Sequence, residues 1–343
     1  MNTPVFASSR RKQKRAYAVM LIIGMLVFIT FVISMNTGHI RLTVMEVFKT
    51  LFGMGTDRQW LILYEFRLPR IVISVLVGAA LAVSGAILQG ISRNALADPG
   101  ILGINAGAGL MVMLFVFLNP VTTAAPVYML PVLALFGSGF AAFLIYILSY
   151  KKHEGISPTR LVLSGIGVSA GISSAMIVLT LKLDPDKYHF VATWLAGSIW
   201  GTNWKFVSAL LPWVIILLPF VFYKARVLNV LNLGEQTSVG LGASVKKEQL
   251  WLLAAAVGLA GSAVSVSGGI GFVGLIAPHL ARRLVGPRHE LLLPTAALTG
   301  SLLLIAADTI GRSIFQPMEI PVGIVVAVIG APYFLYLLAR TKG

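Results

Sequence analysis

Several residue types and motifs are scarce or missing in this chain of 343 residues. It has no cysteine, which excludes a disulfide framework and thiolate metal sites. Charged residues make up 11% of the sequence, less than half of the roughly 25% that is usual in soluble domains. The chain also lacks a GxxxxGK(S/T) loop that would cradle nucleotide phosphates, as well as HExxH and GxSxG motifs. These absences leave little support for a soluble protein, a metal site or an enzyme.

Apolar residues are abundant instead. They form 57% of the sequence, and the mean hydropathy is +0.88. Because a spanning helix needs about 20 apolar residues, the total suits roughly eight to ten spans and leaves no room for a large soluble domain. The net charge of +15 is typical of basic loops that orient a membrane protein and contact anionic lipid, and we prefer that interpretation to nucleic-acid binding.

The pattern of apolar runs and turns predicts a single transmembrane domain, 1–343, that is all-α and polytopic. A basic tail, 1–16, precedes a first apolar run that is longer than a signal-peptide core and has no small-residue cleavage site after it, so we predict a retained helix. Basic residues concentrate in alternate connections, which places both termini in the cytoplasm. Segment 36–66, with an amphipathic piece at Thr43–Phe52, and segment 184–203 then lie outside. The predicted spans are 17–35, 69–90, 101–118, 127–149, 159–181, 204–223, 250–267, 271–286, 294–312 and 320–338.

Span eight, GFVGLIAPHLARRLVG, is short and interrupted by polar residues. We predict that Pro278 breaks this helix near the cytoplasmic side, so that His279, Arg282 and Arg283 emerge there. A helix that ends early in a membrane needs protein or water to satisfy its backbone groups. The sequence therefore indicates a cavity or a docked partner at this place.

Small residues recur at helical spacing within three of the predicted spans. Such stripes allow close helix packing, and lining of a translocation path is the sharper alternative. The stripes are Gly78, Ala82, Ala86 and Gly90 in span two, Gly103 and Gly107 in span three, and Gly165, Ser169 and Ser173 in span five.

Ionisable residues inside the spans are few. Asp308 is the main one, and Arg312 lies four residues later, so we predict a pair near the outer end of span nine. An ion-coupled carrier would place an ionisable relay at the midplane, so that alternative has little support. If ATP drives the protein, a separate chain must hydrolyse it and act on 231–247 or 278–288.

The motifs resemble the membrane subunit of type II ATP-binding-cassette importers, the permease family for ferric siderophores, haem and cobalamin. The resemblance runs from about Arg67 onward in ordered pieces. They are RLPR (67–70), GAALAVSGAILQGISRNALADPGILGINAGA (78–108), LVLSGIGVS (161–169), LAGS (195–198), LGEQTSVGLG (233–242), GGIGFVGLIAPHLARRLVG (268–286), LLPTAALTG (292–300), ADTIGR (307–312) and EIPVGIVVAVIGAPYFLYLL (319–338).

This resemblance implies a cobalamin-importer-like fold of about ten helices in the bacterial cytoplasmic membrane. It also implies a second permease subunit, a copy or a homologue, two ATPase subunits that use ATP and magnesium, and an extracellular or periplasmic binding protein. The chain itself would be non-catalytic and hold no metal or cofactor. Its implied cargo is a ferric siderophore, with cobalamin or haem as alternatives. The weaker alternative from another class of protein is an ion-coupled carrier.

The resemblance also assigns roles to particular positions. Arg67, Arg70 and Arg312 would meet acidic residues of the binding protein. A coupling segment would dock in the ATPase, and the motif PHxxR would lie at the cytoplasmic mouth. Ala95 stands where the family usually has proline, and Thr237 and Ser238 where it has a small residue. The coupling residues are Leu233, Gly234, Glu235, Gly240 and Gly242; the mouth residues are His279, Arg282 and Arg283; and the path or gate residues are Gly78, Ala82, Ala86, Gly165, Ser169, Pro158 and Thr159.

Overall fold

Long apolar runs become long helices in the computed structural model, which describes residues 4–38, 42–119, 128–151, 155–314 and 318–340. A π-helical segment, Leu61–Arg67, joins the helices Asp57–Trp60 and Leu68–Ser92. A 3-10 helix, Pro99–Leu102, precedes the helix Ile104–Leu118. Two-residue strands, β1 (Tyr150–Lys151) and β2 (Gly155–Ile156), pair antiparallel with Tyr150 opposite Ile156. The α-helices are α1 (Pro4–Asn36), α2 (Val44–Leu51), α3 (Asp57–Trp60), α4 (Leu68–Ser92), α5 (Ile104–Leu118), α6 (Met129–Ser149), α7 (Pro158–Thr180), α8 (Pro185–Leu195), α9 (Trp204–Tyr223), α10 (Ala225–Leu231), α11 (Glu235–Gly240), α12 (Val245–Ser267), α13 (Val273–Val285), α14 (His289–Ser313) and α15 (Val322–Arg340).

The predicted all-α class is confirmed, and helices lie at all ten predicted spans. Within the described residues, seven helices are long and apolar enough to cross a membrane. Two shorter apolar helices, Ile104–Leu118 and Val322–Tyr336, match predicted spans three and ten. The remaining prediction, span eight, corresponds to α13, which has 13 residues. A short amphipathic helix, α2, forms where the sequence predicted one.

Helix α4 is the centre of the bundle. It packs against α14, α12 and α13, and most of its length is buried. Glycines bring the backbones together: a Cβ at Gly78 would lie 2.4 Å from the Gly300 carbonyl oxygen. A Cβ at Gly85 would lie 1.8 Å from the Gly274 carbonyl oxygen. These contacts require the absence of a side chain, as expected where helices pack closely in a membrane.

Predicted span two, 69–90, matches α4, Leu68–Ser92. The helix nevertheless continues upstream, from Asp57 through the π-helical segment to Ser92. Leu61, Ile62 and Leu63 supply apolar surface to this extension, and Leu63 is fully buried. The predicted outside segment 36–66 is therefore partly helical, and helix α8 likewise forms within segment 184–203.

The predicted break at Pro278 is wrong, because α13 continues through Pro278 to Val285. A proline has no N–H to donate to the carbonyl oxygen four residues earlier, here that of Gly274. The side-chain nitrogen of Gln89 on α4 lies 3.5 Å from this oxygen and 3.3 Å from that of Leu275. Protein therefore compensates for the lost hydrogen bond. The real interruption is Gly268–Phe272, where both end residues have positive φ, 68° and 66°.

The bundle has two distinct ends. The basic end carries Lys12, Arg15, Arg93, Arg283 and Arg288, with the first turns of α1 and α14 and the last turns of α4 and α13. The Arg70 end carries Arg67, Arg70, Asp308, Arg312 and Glu319, with the last turns of α1 and α14 and the start of α4.

Candidate functional site

An ion-pair network occupies the Arg70 end. Arg70 lies 2.8 Å from an Asp308 carboxylate oxygen and 2.7 Å from one of Glu319. Arg312 lies 3.1 Å from the second Asp308 oxygen, so the predicted pair between these two residues is confirmed. The Arg70 side chain is 12% exposed, while that of Asp308 is 1% exposed. Two guanidinium groups therefore share one buried carboxylate, and the more exposed Glu319 completes the charge balance.

Arg67 and Arg312 also hold the end of α1. The Arg67 guanidinium donates to the Met35 carbonyl oxygen, and Arg312 donates to the Thr37 carbonyl oxygen and the Ser34 hydroxyl. Each of the two arginines is 5% exposed. The structure thus brings all three predicted docking residues to one end, with Arg70 nearest the surface. Their docking role stays a prediction.

A cavity of about 640 Å³ opens beside this network. It lies between α8, the segment after α8 and the start of α15, and the backbones there are tied together by the Gly323 N–H, which donates to the Gly197 carbonyl oxygen at 2.9 Å. Its wall combines aromatic surface with a few polar and charged groups. The lining includes Arg70, Asp186, His189, Phe190, Thr193, Trp194, Ser198, Trp200 and Glu319. A large, partly aromatic cavity with few polar groups suits a bulky organic ligand.

Sequence reasoning missed both Glu319 and this cavity. Glu319 was read only as part of a family motif, although its acidic side chain at the start of a span was a usable signal. The cavity depends on the packing of α8 against Gly268 and Gly269, since the Gly269 N–H lies 3.4 Å from the Trp194 carbonyl oxygen. A Cβ at Gly268 would lie 2.1 Å from that oxygen. No local pattern predicts this contact.

Helix α7 leaves one face uncovered within the chain. Gly167, Gly171 and Ser174 are exposed at helical spacing, and a Cβ at either glycine would meet nothing within 4 Å. Of the predicted stripe, Gly165 is buried, Ser169 is half-buried and Ser173 is exposed. Thr159, at the start of the same helix, is exposed, and Pro158 is its first residue. The exposed small residues therefore coincide with the predicted stripe only at Ser173.

The stripe of Gly78, Ala82 and Ala86 in α4 has different surroundings. All three residues are buried, with Ala82 and Ala86 fully so, and a Cβ at Gly300 would lie 2.6 Å from that of Ala82. Within the single chain, the close-packing alternative describes these residues.

The predicted coupling segment is an exposed corner at the basic end. Helix α11 begins at Glu235 between Gly234 and Gly242, whose φ values of 100° and 83° favour glycine. The buried Ser238 hydroxyl lies 2.8 Å from the Val230 carbonyl oxygen and holds α11 against α10. Leu233, Val239 and Leu241 are about 60% exposed, at 60%, 58% and 63%. An apolar patch rimmed by polar residues is typical of an interaction surface.

The predicted mouth residues lie on the last two turns of α13. His279 and Arg282 are half-buried and Arg283 is exposed. The His279 ring lies edge-on to that of Tyr333, with centroids 6.1 Å apart. No described cluster of three or more His, Asp or Glu side chains could hold a metal ion.

These features define the class: a multi-pass membrane protein with exposed small residues on α7, a cavity at one end and an exposed apolar corner at the other. The chain belongs to the FecCD transport family, whose sequence profile matches residues 25–340.

Known relatives match nearly the whole chain. It is 50% identical to the iron(3+)-hydroxamate import system permease protein FhuG of Bacillus subtilis (strain 168), over 97% of this chain and 100% of the relative. It is 42% identical to the Fe(3+) dicitrate transport system permease protein FecD of Escherichia coli (strain K12), over 82% and 86%. A solved inward-facing structure of a metal-chelate type ABC transporter has a TM-score of 0.83 and 30% identity, covering 94% of this chain and 99% of that one.

Proposed function

We propose that this chain is the permease subunit of an ATP-driven importer that carries a ferric siderophore into a bacterial cell. The observation that carries the proposal is the uncovered small-residue face of α7, Gly167, Gly171 and Ser174. Exposed small residues at helical spacing between the exposed Leu163 and Val178 allow another helix to approach closely, which suits a second permease subunit and a path between the two. The names of the relatives support an iron chelate as cargo, and a hydroxamate chelate is the first to test.

In this proposal the basic end faces the cytoplasm, as the positive-inside rule favours, and the Arg70 end faces outside. A binding protein docks at the Arg70 end, with Arg70 and Glu319 at the contact and Arg67 and Arg312 fixing their position. The cavity beside Trp194 and Trp200 receives the released chelate. Complementary charges at such a rim set the rate and orientation of docking more than the affinity.

Two ATPase subunits drive transport from the basic end. The exposed leucines of the coupling segment dock in the ATPase, and Gly234 and Gly242 give the corner its shape. The inner half of α7, with Pro158, Thr159, Gly165 and Ser169, forms the gate. The last turns of α13, with His279, Arg282 and Arg283, form the cytoplasmic mouth. The buried stripe of Gly78, Ala82 and Ala86 holds α4 against α14 beside the path. The chain itself performs no chemistry and holds no cofactor.

Uptake of radiolabelled cargo by intact cells tests the proposal. Cells with the complete transport system receive a ferric hydroxamate, haem or cobalamin, and each uptake rate is compared with that of cells lacking this chain. We expect chain-dependent uptake of the hydroxamate chelate that stops when ATP is depleted with arsenate. Uptake that continues without ATP but stops with a protonophore would establish an ion-coupled carrier instead, and chain-dependent uptake of haem or cobalamin alone would replace the cargo.

A further inference from the structure

The basic end contains a second cavity, distinct from the coupling segment. It has a volume of about 560 Å³ and lies between the first turns of α1 and the segment that joins α13 to α14. Four basic side chains line it, and no acidic side chain is among its described lining residues. They are Lys12, Arg15, Arg283 and Arg288.

Glu290, two residues after Arg288 in the sequence, is engaged with groups outside the cavity as well. Glu290 influences Arg288 electrostatically, but it also interacts with Arg226, and its carboxylate accepts a hydrogen bond of 2.7 Å from the Asn229 side chain. Lys12, Arg15, Arg283 and Arg288 are all exposed. A concave site lined by four cations and by no described acidic side chain attracts an anion that carries more than one acceptor oxygen, such as a phosphate group.

The surface of α1 extends the site along the membrane. Arg15, Ile22, Leu26, Ile29 and Ile33 lie on one face of the helix, at i, i+7, i+11, i+14 and i+18. The apolar members are 56%, 43%, 51% and 51% exposed. At 1.5 Å per residue, Ile22 and Leu26 lie roughly 10 to 17 Å along the axis from Arg15, which is the depth of one leaflet of a hydrocarbon core about 30 Å thick.

We infer that this cavity binds the phosphate headgroup of an anionic phospholipid, whose acyl chain lies along the Ile22 and Leu26 face of α1. The lipid bridges α1 to the segment between α13 and α14. Its location in the inner leaflet rests on the orientation proposed above, but the site itself does not. A free phosphate would match the charges and leave the apolar face without a role, which is why a lipid is the favoured occupant.

Native mass spectrometry of the full chain in a neutral detergent tests the inference. The purified protein is titrated with phosphatidylglycerol, with phosphatidylcholine and with inorganic phosphate. We expect phosphatidylglycerol to bind in preference to phosphatidylcholine, and millimolar phosphate to leave it bound.

Paired variants localise the effect. Arg15→Gln with Arg288→Gln removes two lining charges, and Lys14→Gln with Lys247→Gln removes two exposed charges outside the cavity. Each basic residue near an anionic lipid contributes about fivefold, so the first pair should weaken phosphatidylglycerol binding about 30-fold and the second pair should not. Thermal unfolding without added lipid should be equal for both pairs.

Three results would overturn the inference. Equal binding of the two lipids would show that charge does not select the occupant. Equal weakening by both variant pairs would show that the cavity is not the site. Displacement of the lipid by phosphate would show a site for a small anion.

Discussion

The contact between α4 and α14 allows one prediction to be worked out in detail. Gly78 faces backbone atoms of the other helix: a Cβ there would lie 2.4 Å from the Gly300 carbonyl oxygen, 2.6 Å from its carbon and 2.8 Å from the Ser301 Cα. Ordinary contact begins at 3.4 Å. None of these atoms can rotate away, so Gly78→Ala must separate the helices by about 1 Å at a packed seam.

The expected cost is about 3 kcal/mol, the upper part of the range for overpacking, because the helix partners are rigid and α4 is the centre of the bundle. Gly139→Ala on α6 is the matched control, since a Cβ there meets nothing within 4 Å. That change should be neutral or stabilise the helix by up to about 1 kcal/mol.

Reversible unfolding in mixed micelles, followed by tryptophan fluorescence during titration with dodecyl sulfate, measures the difference. If Gly78→Ala is as stable as Gly139→Ala, the seam is not packed as described. The stripe of Gly78, Ala82 and Ala86 would then have to be open, as expected of a path and not of a helix contact.

Three further predictions concern the ion pairs, the coupling segment and the turn between α4 and α5. Asp308→Asn removes the carboxylate that Arg70 and Arg312 share and leaves Glu319 as the acidic member of the network. It should therefore destabilise the protein by about 3 kcal/mol or more in the same unfolding assay. An unchanged unfolding midpoint would contradict the network. Leu241→Glu should reduce copurification of the ATPase at least tenfold while the unfolding midpoint of the permease stays unchanged. Gln236→Glu, which adds the same charge on α11, should reduce copurification much less. Equal losses in the two variants would argue against apolar docking. Burial raises the pKa of Asp98 from 3.8 to about 6, although the hydrogen bond from the Gly100 N–H acts to lower it. Because the folded state then binds the proton more tightly than the unfolded state, the free energy of unfolding should rise as the pH falls through 6 toward 3.8. Thermal unfolding at pH 7 and pH 5 measures that gain, and an equal gain in Asp98→Asn would contradict it.

Local pattern was sufficient for the class of fold. Each span is an apolar run bounded by turns or charges, and this pattern depends on a bilayer that penalises every unsatisfied backbone group. The pair of Asp308 and Arg312 was also predictable from local pattern, because residues four apart lie on the same face of a helix.

Contacts between distant elements were not predictable. Pro278 resembles a helix break in the sequence because the compensating donor, the Gln89 side chain, lies on a helix nearly two hundred residues earlier in the chain. The helix upstream of span two was not predicted because the π-helical segment Leu61–Arg67 continues α4 without a boundary signal. Spacing alone also could not fix which face of α7 is covered, because Gly165 and Gly167 satisfy the same small-residue pattern on different faces.

The central claim is that a separate ATPase drives this permease through the coupling segment. The most direct measurement is affinity purification of the tagged chain from active native membranes in a mild detergent, with the partners identified and counted by mass spectrometry. We expect to recover two copies of an ATPase with a phosphate-binding loop, a second permease subunit and a substrate-binding protein. The ATPase should be lost when the tagged chain carries Leu241→Glu. Recovery of the chain alone from membranes that still take up the chelate would contradict the claim.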